Sequence, residues 1–205
     1  MSEEQRTPQG NQTEEQPEQK KKESAGLGGE LYTWLQALTF ALVLLVVVFT
    51  FFGRIIGVDG QSMVPTLQDR DMLLLRCAGY EPAQGDVVVL HKNFATVTDP
   101  IVKRVIAVGG QSVDVDYDSG NVYVDGEAVD QSYLGEPMID TGNPYMMETH
   151  WDVPEGSVFV MGDNRNNSSD SRDQRLGVVD NRYVLGKVLC ILFPFSHTGG
   201  VASVH

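Results

Sequence analysis

Basic residues are scarce in this chain of 205 residues: 15 lysines and arginines stand against 28 aspartates and glutamates, a formal net charge of −13. The deficit is uneven. Residues 1–30 hold seven acidic and four basic side chains, a net of −3, and residues 31–53 carry no charge, which leaves −10 for the remainder. A domain of that sign repels phosphate, so nucleic acid is excluded as a partner. It gains nothing from anionic lipid by charge alone, so any hold on a membrane must be apolar. Cysteine is nearly absent too. Cys77 and Cys190 have neither Cys-x-x-Cys spacing nor paired histidines nearby, which argues against a structural metal site. Both lie in apolar stretches and are expected as buried thiols, although a single disulfide is open to them.

Histidine is limited to His91, His150, His197 and His205. None stands in a motif that suggests a histidine base of the Ser-His-Asp kind, and each is read as a solvated surface residue. Internal repeats are missing, and no segment after residue 53 shows a sustained helical period. Residues 1–28, rich in Glu, Gln, Lys, Pro and Gly, have almost nothing apolar to bury and are predicted to be disordered.

Against these absences stands one long apolar run, LYTWLQALTFALVLLVVVFTFF at 31–52. It reaches the ~20 residues that a bilayer-crossing helix needs. It ends in bulky residues and not in the small ones of a signal cleavage site, so it reads as a retained anchor over residues 29–53. Tyr32 and Trp34 suit the membrane interface. Lys20, Lys21 and Lys22 precede the span and only Arg54 closely follows it, so the positive-inside rule places the N-terminus in the cytoplasm and residues 54–205 outside.

Beyond the anchor the pattern is that of strands, at 72–75, 86–90, 101–108, 112–116, 121–124, 157–161 and 183–192, separated by Gly, Pro, Asn and Asp turn signals. The expected fold is mainly antiparallel β, with a meander over 112–129 and a loop of unassigned form at 131–152. The apolar run CILFPF at 190–195 is assigned to the core in preference to a membrane-contact patch.

Three stretches carry chemistry. In DGQSMVPTL at 59–67, Ser62 lies between Gly60 and Pro65, residues that permit or force unusual backbone geometry. Such a turn can aim a hydroxyl and an N–H at one point, as acyl transfer requires; a plain surface turn would have the same composition. Lys103 sits in IVKRVIAV at 101–108, apolar but for Arg104, and alternation sends the two to opposite faces. An edge lysine that discourages aggregation would look similar. A desolvated amine, by contrast, has a lowered pKa and can take the serine proton. GDNRNNSSDSR at 162–172 is rich in hydrogen-bonding groups; it suits either an Ω-loop held by Asp–Arg pairs or a shell that orients Lys103.

Together and in order, SMVPTL at 62–67, GDVV at 85–88, KRVIAVGG at 103–110 and GDNRNNSSDSR at 162–172 resemble the bacterial type I signal peptidases, over roughly residues 31–195. The single anchor is similar to the compact Gram-positive type. The resemblance implies a signal-peptidase-type antiparallel β-domain and a membrane-bound serine endopeptidase without metal or cofactor. Such an enzyme cuts exported preproteins after small residues, at Ala-x-Ala sites, by way of an acyl-enzyme, beside the export translocon. It implies Ser62 as nucleophile, Lys103 as general base and Ser168 as the hydroxyl that orients the lysine. Asp170 and Arg172 would brace the site, with Arg104 following the base. Val58, Met63, Ile101 and Val102 would line the substrate pockets. Gly60 departs from members that place there a serine whose hydroxyl helps bind the oxyanion. Two other readings fit less of the chain. A self-cleaving serine–lysine regulator would be soluble and carry a DNA-binding or partner segment, and an inactive anchored β-module would have no use for both members of the pair.

Overall fold

The computed structural model describes residues 27–51 and 53–201. The disorder expected at 1–28 therefore lies, but for its last two residues, outside the described residues, as does His205. Helix α1 (Leu27–Phe51) is unbroken, and its segment Gly29–Val48 has a mean hydropathy of 2.2 with no residue buried by protein. Its 25 residues span about 37 Å, enough for a hydrocarbon core of ~30 Å. The Thr33 and Thr39 hydroxyls donate back to the carbonyls of Gly29 and Leu35, so both polar groups are satisfied inside the helix.

The remainder is antiparallel β. Its strands are β1 (Gly53–Gly57), β2 (Met72–Arg76), β3 (Val87–Leu90), β4 (Ile101–Val108), β5 (Ser112–Asp116), β6 (Asn121–Val124) and β7 (Glu127–Ala128), followed by β8 (His150–Asp152), β9 (Ser157–Met161), β10 (Val179–Asp180), β11 (Val184–Phe193) and β12 (Gly199–Gly200). The larger sheet runs β1-β2-β11-β3-β4-β9-β10, with β12 added to β11; the smaller runs β7-β6-β5-β8. Central strand β3 is covered on both faces, which is why its sequence is the unbroken VVVL, whereas β5 and β6 alternate because only one face is covered. One face of the larger sheet packs Val58, Met63, Leu67, Leu73, Val87 and Val102 together. The other gathers Val88, Leu90, Phe94, Val105 and Val160, and a third cluster centred on Val113, Val122 and Phe159 involves the smaller sheet.

Strands 101–108, 112–116, 121–124 and 157–161 coincide with the sequence reading. Strands β1 and β8 were not anticipated, and residue 53 belongs to β1 and not to the anchor. The assignment of 190–195 to the core holds for Ile191, which is buried, but fails at the two phenylalanines: Phe193 is 52% and Phe195 82% exposed. Bulges between Val188 and Cys190 and between Ile191 and Phe193 break the alternation along β11, so Val188 and Ile191 are both buried while Leu189 and Phe193 are exposed. The thiols are half-buried and free. Cys190 stands opposite Leu74, three positions from Cys77, so the register keeps the sulfurs apart. A bulge between Val105 and Ala107 interrupts the β4–β9 ladder just beyond Arg104.

Candidate active site

The chain leaves β1 and returns to β2 through a closed loop, pinned where Val58 N–H donates to Asp71 O (2.8 Å) and Arg70 N–H to Val58 O (2.9 Å). Gly60 takes φ +102°, a region costly to any residue with a Cβ, and its N–H donates to Asp69 Oδ1. A serine would find empty space at this position but a strained backbone. Met63 and Leu67, both buried, anchor the far side of the turn, so Ser62 stands partly exposed between a glycine bend and a fixed core attachment.

Lys103 is 3% exposed, and its Nζ lies 2.6 Å from Ser62 Oγ and 3.0 Å from Val102 O. Burial lowers its pKa from 10.5 to about 8; the Asp170 and Asp163 carboxylates pull it up, and the Arg172 guanidinium pushes it further down. Asp170 is wholly buried. Burial would raise its pKa, but the Arg172 guanidinium, the Gly162 N–H and the nearby Ser168 hydroxyl outweigh that and hold the carboxyl below its ordinary range. Arg172 grips both Asp170 oxygens, at 2.8 and 2.9 Å, and donates to Arg165 O. Arg104 forms a matching bidentate pair with Asp163, at 2.9 and 2.8 Å, and donates to Gly85 O. Asp163 also accepts from Thr66 Oγ1, four residues past Ser62, at 2.5 Å.

Ser168 differs from its expected place. Its Oγ is buried without a well-formed hydrogen bond, and the amine it was expected to orient bonds Ser62 Oγ and Val102 O instead. Its side chain lies against Gly162, leaning towards Asp170. Of the substrate-pocket residues, Val58, Met63 and Val102 share one cluster, but Ile101 packs against the Phe94 cluster on the opposite face. Adjacent strand residues cannot share a face, and that rule alone would have separated Ile101 from Val102.

Several contributors escaped sequence reasoning. Asn164 clasps the Ser62 turn, its N–H donating to Ser62 O (3.0 Å) and its Nδ2 to Gln61 O (3.2 Å). Gly162 lets the two loops approach: a Cβ there would collide with Ser62 O and the Ser168 side chain. Tyr133 stacks on the Arg104 guanidinium, 4.3 Å from ring centroid, while its hydroxyl accepts from Arg165. The Gly-Asp-Asn run directly after a strand was the one visible signal for the first two. No three His, Cys, Asp or Glu side chains among the described residues could hold a metal ion together.

Residues 31–193 match the family described as signal peptidase, peptidase S26. Signal peptidase IB of Staphylococcus aureus is 33% identical over 182 residues, covering 82% of this chain and 92% of that protein. Probable signal peptidase I-1 of Synechocystis sp. is 35% identical over 175 residues, covering 81% and 84%. A crystal structure of a signal peptidase I from Enterococcus faecalis V583 is 25% identical, with a TM-score of 0.42 over 53% of this chain and 97% of that one. With a hydroxyl and a buried amine in contact, and with the match over residues 31–193 running through both the loop that holds Ser62 and the strand that holds Lys103, the chain belongs to the signal peptidase family, peptidase S26.

Proposed function

We propose that this protein is a membrane-bound serine endopeptidase that removes signal peptides from exported precursors, with Ser62 as nucleophile and Lys103 as base. One observation carries this reading: the 2.6 Å contact between Ser62 Oγ and an amine buried enough to lose its proton near pH 8. Neutral Lys103 accepts the Ser62 proton as Oγ bonds to the scissile carbonyl carbon. The resulting ammonium protonates the departing amine as the C–N bond breaks, leaving an acyl-enzyme. Lys103, neutral again, takes a proton from water as the water oxygen bonds to the acyl carbon, and returns it to Ser62 Oγ as the ester bond breaks, which frees the signal peptide with a new carboxylate end. The Ser62 N–H is one oxyanion donor, and Gly60 supplies no side chain for a second.

The pairing of β4 with β9 begins at Arg104, leaving one edge of residues 101–103 without a strand partner among the described residues. An extended precursor can add there, opposite residues 58–60, with small side chains over Val58, Met63 and Val102. Asp170–Arg172 and Arg104–Asp163 fix the loop behind the pair, and the orphaned Ser168 hydroxyl completes the amine's surroundings by rotating towards it. Substrates cut after small residues, at Ala-x-Ala sites, fit shallow pockets of this kind. Incubating the purified protein with such a precursor, with Ser62→Ala as control, tests the reading by mass spectrometry of the products; cleavage elsewhere, or by the Ser62→Ala protein, overturns it.

Because the neutral amine is the active form, kcat/KM is expected to rise with pH through about 8 and level off above, well short of the ordinary lysine value of 10.5. Ser168→Ala should lower the plateau and displace the limb, and Ser169→Ala should do neither. A limb centred near 6.5 would point to histidine instead.

α1 anchors the enzyme in the bilayer, with the N-terminus cytoplasmic, residues 54–205 outside, and the export translocon as its neighbour. Met72 lies directly opposite Phe193 on the exposed face that also bears Ile55, an apolar face suited to lipid. Protease added outside intact cells should therefore digest the β-portion and spare residues 1–28; a digested tail would reverse the orientation. Deleting residues 1–52 should give a soluble, slower enzyme that regains activity with detergent or lipid.

A further inference from the structure

Past Ser62 along the turn from Val58, a cavity of about 320 Å³ is lined by Val64, Gly135, Glu136, Asp163 and Asn164. It opens directly beside the nucleophile, because Asn164 N–H holds Ser62 O and Val64 is only two residues on. Of the edges that can receive the signal-peptide half of a precursor, 58–60 precedes Ser62 in the turn, and 101–103 carries Val102, which packs in one cluster with Val58. A chain bound there and crossing Ser62 must leave past Val64. The wall is fixed: Asn166 Nδ2 donates to Glu136 Oε1 (2.9 Å) and Pro137 O (3.0 Å), and Asn166 Oδ1 accepts from Ile139 N–H. Gly135 adds no bulk, and a Cβ there would lie 3.4 Å from Pro65. The two carboxylates of the lining differ. Both oxygens of Asp163 are engaged by Arg104, whereas Glu136 is exposed and joins no ion pair among the described residues.

Resting on the reading of Ser62 as nucleophile, we infer that this cavity is the subsite for the first residues of the released mature chain, and that Glu136 sets its charge preference. A basic side chain just after the scissile bond is drawn to an unneutralised carboxylate, and an acidic one is repelled. Because Glu136 is in water, the discrimination is modest and is screened by salt.

The test uses the full-length protein in detergent and three precursors that differ only in having Lys, Ala or Asp at the second position after the cut. For each enzyme, kcat/KM is expressed relative to its own alanine substrate. Wild-type protein at low salt should prefer Lys over Asp by roughly fivefold, a preference that shrinks towards unity in 1 M salt. Glu136→Gln should flatten the series, and Glu136→Lys should invert it. If Glu136→Lys cuts the alanine precursor yet keeps the wild-type ranking, the subsite is not there and the inference falls alone. If wild-type protein fails on the alanine precursor, the endopeptidase reading falls and takes the inference with it.

Discussion

Replacing Ser62 by alanine is expected to reduce precursor cleavage by at least about 10⁴-fold, and replacing Lys103 by alanine to do the same. If the two side chains in contact act as the proposed nucleophile and base, they work as a unit, so the double variant should be scarcely worse than either single one. Lys103→Met separates catalysis from stability more sharply. The folded pKa of about 8 lies below the 10.5 of an exposed lysine, so the folded state binds the proton more weakly than the unfolded chain does. That difference destabilises the fold fully below pH 8, fades between pH 8 and 10.5, and is absent above. A shift of this size corresponds to about 3 kcal/mol, less whatever the hydrogen bonds to Ser62 and Val102 return. Lys103→Met should thus be inactive, yet as stable as the natural protein or more so at pH 7, with the advantage vanishing above pH 10.5. Denaturant unfolding of the detergent-solubilised protein at several pH values measures this. A Lys103→Met protein that unfolds at neutral pH would make Lys103 a charged structural partner and not a base.

Gly162→Ala is expected to have the next largest effect, from one added methyl group. Its Cβ would meet the carbonyl of Ser62 and the side chain of Ser168. Met63 and Leu67 are locked in the core beyond Ser62, and Ser168 is flanked by the wholly buried Asp170. Relief must come from separating the two loops, which breaks the Asn164–Ser62 hydrogen bond and lengthens the distance from Lys103. Displacing reacting groups by an ångström costs about 10²-fold in rate, while overpacking of this kind costs about 1–3 kcal/mol of stability. The protein should remain folded but cleave at least about 100-fold more slowly. Natural rates with alanine at 162 would mean that the loop does not press on the nucleophile.

The β strands with clean alternation or unbroken apolar runs, β4, β5, β6 and β9, were legible to the residue, because burial on known faces writes itself into composition. Strand β1 was not, since its GRIIG sequence continues the apolar anchor and only pairing with β2 distinguishes it. The 190–195 run was misjudged at its phenylalanines because apolar composition does not say whether a sheet face has a cover. Ser62 and Lys103 could be singled out because unusual residues in unusual surroundings stand out, whereas Asp170 and Arg172 were named through the resemblance to a family. Asn164 and Gly162 could not, since their importance lies in what their backbones touch, and backbone contacts across 100 positions leave no local pattern. Ser168 shows the reverse: a motif named the residue, but its rotamer depends on packing against Gly162.

Lys103 and Arg104 are neighbours on β4, yet one meets Ser62 and the other meets Asp163. A slip of one residue would exchange them and present Ser62 with a guanidinium, which proteins do not deprotonate. Chemical competence is therefore encoded as strand phase. The ladder to β3 holds that phase on one side, Val88 opposite Lys103, and the bulge at 105–107 absorbs the odd residue only after the pair has been placed. Length changes in the 91–100 connection should be tolerated as long as the phase survives. A single residue inserted between 104 and the bulge should leave Ser62 and Lys103 in the chain and abolish the proposed cleavage.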